Sequence, residues 1–145
     1  MDQQNLFKQY EGVFDEWLEG DDEAPVKEAR KKEAYNPFAI ADAVGKKSAK
    51  ESWIEYTVAR LQGGESEELH ARALGKVRDI IIASKEKQEE TTMHPFVYKK
   101  AKWDAKNWKE GELEKTYSKL VEIYHKARMG GEELDVALEK VLLGL

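Results

Sequence analysis

Asn36-Pro37-Phe38-Ala39-Ile40-Ala41-Asp42-Ala43-Val44-Gly45 reads as a complete short helix with its punctuation. Asn36 has the side chain of an N-cap, and Pro37 suits the first helical position, where a missing N–H costs nothing. This helix is expected to run to about Val44 and to stop at Gly45. The opening recurs at His94-Pro95-Phe96-Val97-Tyr98-Lys99-Lys100. Two Pro-Phe helix starts, in a chain whose remaining apolar residues fall at helical spacing, decide an all-α fold.

Downstream of Gly45, Ser48 and Glu51 have capping-box spacing for a second helix. Its apolar stripe is Trp53, Ile54, Thr57, Val58 and Leu61, closed by Gly63-Gly64. Ser66 is the expected cap of a third helix, buried through Leu69, Ala73, Val77, Ile80 and Ile81. Residues 84–93 are polar and loop-like. A fourth helix, 95–109, uses Val97, Ala101, Ala105 and Trp108. A fifth, about 110–129, uses Leu113, Tyr117, Leu120, Val121 and Tyr124 and ends at Gly130-Gly131. The last, about 132–143, uses Leu134, Ala137, Leu138, Val141 and Leu142. Trp53, Tyr56, Trp103, Trp108, Tyr117 and Tyr124 read as core or groove fillers. The expectation is a compact bundle of about five to six helices over 35–145.

Upstream, residues 1–34 read as an acidic, flexible or partly ordered leader and linker, possible remnant of a preceding domain. Phe7, Tyr10, Phe14, Trp17 and Leu18 allow a helix or a helix and short strand over 4–18. Residues 1–24 hold eight acids and one base, −7, so the rest of this −5 chain is +2. The chain as a whole is therefore no electrostatic match for nucleic acid. Cysteine is absent, which removes disulfides and thiolate metal sites and suits a cytoplasmic location. No run approaches the roughly 18 apolar residues of a membrane span.

Catalytic signatures fail on inspection. Gly45-Lys46-Lys47-Ser48 lacks the earlier glycine of a phosphate loop, since Ile40 stands there, and Lys47 replaces the required Ser or Thr. His70, His94 and His125 do not repeat at metal-ligand spacing. No Gly-x-Ser-x-Gly elbow occurs. The expectation is no enzyme, no cofactor, no metal and no small-molecule substrate.

One surface has binding character. Lys99, Lys100, Lys102, Lys106 and Lys109 stand against Asp104, with Trp103 and Trp108 interleaved, a local +4. Basic residues among aromatics can hold phosphates and stack bases, so Lys99, Lys100, Lys102, Trp103 and Lys106 are the alternative nucleic-acid contacts. The competing reading is an amphipathic helix with lysine stems covering apolar surface.

The order of motifs resembles a known family. Asn36-Pro37-Phe38-Ala39, Asp42-Ala43, Gly45, Trp53 and Gly64-Glu65, then His94-Pro95-Phe96-Val97 with Lys100, then Ala127-Arg128, Gly130, Ala137-Leu138-Glu139 and Leu143, are similar to the C-terminal region of the delta subunit of bacterial DNA polymerase III. That subunit belongs to the sliding-clamp loader. The resemblance covers about 35–145 and implies a collar domain, packing against the ATPase and delta-prime subunits and touching DNA only indirectly or weakly. It implies assembly rather than ATP hydrolysis. The family's N-terminal nucleotide-binding-like domain, which contacts the clamp, has almost no counterpart here, so the resemblance does not extend to clamp opening.

Overall fold

The computed structural model describes residues Tyr35–Leu145; the acidic leader 1–34 and the element expected at 4–18 lie outside the described residues. Among the described residues there are six α-helices: α1 (Ala39–Gly45), α2 (Ala49–Leu61), α3 (Ser66–Lys85), α4 (Pro95–Asp104), α5 (Glu112–Arg128) and α6 (Leu134–Leu143). Short 3₁₀ turns lie at Gln88–Glu90 and Ala105–Asn107, and the described residues contain no strand. The fold is all-α.

The long α3 is the axis. It packs against α1, α4, α5 and α6, while α2 closes on α1 and α6. Its stripe Leu69, Ala73, Val77 and Ile80 is fully buried, as its 3–4 spacing requires. Ile40, Val44, Tyr56, Leu120, Leu138 and Leu142 complete the centre. Burying each aliphatic side chain contributes about 1.5–3 kcal/mol.

Two helix ends follow the glycine signals. Gly63 and Gly130 have φ of +95° and +86°. Gly64 N–H donates to Ala59 O at 2.8 Å and Gly131 N–H to Lys126 O at 2.9 Å, the six-to-one bond of a Schellman ending.

Gly45 corrects the expected end of α1. It is a buried residue of the last turn, and the left-handed residue is Lys47, φ +57°. Ser48 N–H reaches Ala43 O at 3.3 Å to complete the ending. A Cβ on Gly45 would lie 2.5 Å from Asp104 Oδ2 and 2.7 Å from Lys76 Cε. The glycine is there for close approach, not for its φ.

Other boundaries also move. Asn36 Oδ1 does accept from Phe38 N–H at 2.9 Å, but Ala39 N–H bonds Asn36 O at 3.2 Å. This tight turn delays the α-helix to Ala39. Ser48 caps α2 by accepting from Glu51 N–H at 3.1 Å. The reciprocal arm is missing, because Glu51 pairs with Lys46 instead, at 3.4 Å. Ser66 is the first residue of α3; the N-cap is Glu65, whose side chain makes no cap bond. The fourth helix ends at Asp104 rather than 109, because Trp108 turns extended. In α4, Val97 points outward and Tyr98 is buried, its hydroxyl donating to Glu86 O at 2.7 Å.

The largest correction is α2. Its stripe Trp53, Ile54, Val58 and Leu61 is not core but 37, 39, 40 and 83% exposed, whereas Ser52, Tyr56 and Ala59 are buried. Small residues let α2 approach its neighbours closely, and Tyr56 gives its hydroxyl hydrogen to the Asp135 carboxylate on α6. Polar anchoring has decided which face turns in. Trp103 is likewise exposed rather than a core filler, and Val121 of α5 is on the surface.

Candidate functional site

Two surfaces carry the sequence-predicted residues, and each rests on a polar scaffold. The first is the outer face of α2. At 100° per residue, Trp53, Ile54, Thr57, Val58 and Leu61 share a stripe about 140° wide. Arg60 holds this helix in place: its Nε is 3.2 Å from Asp135 Oδ1, and its NH1 donates to Gly64 O at 2.8 Å. The Tyr56 hydrogen bond, then Arg60, keep the Asp135 carboxyl below its ordinary range. Burial, then Asp135, push the Tyr56 phenol upward.

The second surface is built by the two Pro-Phe starts. His94 Nδ1 accepts from Phe96 N–H at 3.1 Å and Pro95 occupies the first turn, so the expected start of α4 is made. Asp42 of α1 lies 3.5 Å from Lys100 of α4. Further along, Gly45 O accepts from Asn107 Nδ2 at 3.1 Å and from Trp108 Nε1 at 3.2 Å. Asp42 meets Lys100 and Gly45 lies against Asp104, so these contacts advance in the same direction along α1 and α4. Phe38 stands four residues before Asp42 and Phe96 four before Lys100. One helical turn of separation puts each ring on the bridge's side of its helix.

The expected basic patch is divided by the structure. Lys100 is committed to Asp42. Lys102 Nζ donates to Ala83 O at 3.3 Å, covering a carbonyl in the last turn of α3. Lys106 Nζ lies 4.1 Å from the Trp103 ring centroid. Lys99 and Lys109 are exposed.

Arg128 lies 5.9 Å from the Tyr124 ring, and Tyr124 stacks on buried His70 at 5.2 Å. His70 Nε2 is 2.7 Å from Leu120 O; a carbonyl only accepts, so that nitrogen carries the proton. Arg128 thus caps a stack within the fold.

Sequence reading missed the Lys76–Asp104 pair, 2.7 Å apart with side chains 9% and 5% exposed. The contact is one of charge rather than an aligned hydrogen bond. A signal existed: residues 69, 73, 76 and 80 share one helical stripe, as do 101, 104 and 108, and a charge in each stripe must be paired when buried.

A shallow open groove lined by Ile81, Tyr117, Val121 and His125 runs along α5. Among the described residues, no three His, Cys, Asp or Glu side chains converge as metal ligands. No helix there is long and apolar enough to cross a membrane. No protein-family model matches the chain, and neither a curated protein nor a solved structure shows significant similarity to it.

Proposed function

We propose that this chain is a non-catalytic assembly module of a DNA-replication clamp loader, a delta-like collar domain that packs against the ATPase and delta-prime subunits in the cytoplasm. The observation that carries this reading is the outward stripe of α2. Four large apolar side chains, Trp53, Ile54, Val58 and Leu61, lie along one side of a helix whose buried side carries Ser52, Tyr56 and Ala59, with Tyr56 and Arg60 both held by Asp135. Water is a poor neighbour for such a stripe, and a partner helix is a good one.

A collar requires a rigid block with broad mixed faces. The Schellman endings, the Asp135 cluster and the buried Lys76–Asp104 pair supply rigidity. The resemblance in motif order from Asn36 to Leu143 supports the family reading.

Light scattering on a sizing column tests the reading, with the chain mixed with bacterial loader ATPase and delta-prime subunits. A salt-tolerant co-eluting complex is expected. A chain that elutes alone at every ratio overturns the proposal.

A further inference from the structure

Phe38, Phe96 and Trp103 are 65, 69 and 67% exposed. Exposed aromatics are unremarkable singly, but these lie on α4 and at the start of α1, which the Asp42–Lys100 pair and the close approach of Gly45 to Asp104 join. Phe96 and Trp103 are seven residues apart, two turns, so they lie on one stripe about 10 Å apart along the axis. Phe38 is tied to the same end through Asp42–Lys100 at 3.5 Å.

The surroundings are basic. Arg72 lies 5.9 Å from the Phe38 ring, Lys106 lies over Trp103, and Lys99 is exposed between Phe96 and Trp103 on α4. Lys100 adds a fourth cation. The facing carboxylates are Asp42, bound to Lys100, and Glu68, 3.8 Å from Arg72. Cations exceed acids here although the whole chain is −5.

We propose that the Phe38–Phe96–Trp103 surface binds single-stranded nucleic acid, stacking bases on the rings and holding phosphates with Arg72, Lys99 and Lys106. Flat rings with cations over and beside them meet both halves of a nucleotide. An acidic peptide would use the cations but leave three large rings without a matching partner. A duplex hides its base faces. The surface uses none of the α2 stripe, so it can fail or hold independently of the assembly reading.

The test is fluorescence anisotropy of a labelled oligothymidylate titrated with the full chain at several salt concentrations. Binding is expected to weaken with salt at a log–log slope near −2, about 0.7 for each of three phosphate contacts. Trp103→Ala and Phe96→Ala are each expected to weaken it about tenfold, and Lys99→Gln to flatten the slope. Thermal melts should match the wild type, because the rings are outside the core. Three results overturn the proposal: no binding at low salt, ring variants that bind as well as wild type, or a polyglutamate competitor that displaces the oligonucleotide at equal charge.

Discussion

Lys76 of α3 and Asp104 of α4 form an ion pair 2.7 Å long, almost wholly shielded from water, directly beneath Gly45 of α1. Three helices meet at this point, and the junction places the two Pro-Phe starts relative to one another. Removing one partner leaves a buried charge without compensation, which costs about 3–5 kcal/mol. Asp104→Ala and Lys76→Met should each lower the unfolding free energy by that amount, read from the fall in the urea midpoint. The double Lys76→Met, Asp104→Leu should recover most of the loss; additive losses would mean the pair is not coupled.

Gly45→Ala sets two effects against one another. Helix propensity favours alanine by about 1 kcal/mol. The new methyl would meet Asp104 Oδ2 at 2.5 Å and Lys76 Cε at 2.7 Å, and neither group can withdraw without breaking the pair. Overpacking of this kind costs about 1–3 kcal/mol, so a net fall in melting temperature is expected. A rise would show that the junction yields.

Lys47 adopts a left-handed φ of 57° at the end of α1. Its Nζ is 2.6 Å from Glu112 Oε2, which holds the Glu112 carboxyl below its ordinary range. Lys47→Ala and Lys47→Gly both lose that contact, so comparing them isolates the backbone. The glycine variant should be the more stable by about 1 kcal/mol in urea denaturation. Equal stability would contradict a strained Lys47.

The pH dependence follows from Asp135, whose pKa is lowered by Tyr56 first and Arg60 next. A carboxyl with a depressed folded pKa stabilises fully above its unfolded value of about 3.9. The unfolded chain binds more protons below that point, so this stability is lost as pH falls through the folded pKa. Asp135→Asn should remove that part of the acid slope, and Tyr56→Phe should shift it toward higher pH. Melts between about pH 2 and 5 read both.

Much of this was legible in sequence because it is local. The His94 cap, Pro95, the 3–4 stripe of α3 and the Gly63 and Gly130 endings each depend on a few neighbouring residues. The face of α2 was not legible. Periodicity finds an apolar stripe but cannot tell whether the chain or a partner covers it, and here Tyr56 and Arg60 reaching Asp135 on α6 turned the stripe outward. The division of the basic patch has a similar cause. Lys100 and Lys102 look free in sequence, yet Asp42 and Ala83 O, distant in the chain, occupy them. Gly45 resembled a helix stop because close approach and positive φ call for the same residue.

On the proposed function, the outer face of α2 binds clamp-loader subunits. Isothermal titration of the chain into the delta-prime and ATPase subunits, wild type against Trp53→Glu with Val58→Glu, tests it most directly. Trp53 and Val58 are 37 and 40% exposed, so the melting point of the variant is measured beside the titration to show that it is folded. At least a tenfold loss of affinity is expected in the folded variant. Unchanged affinity in the folded double variant would contradict it.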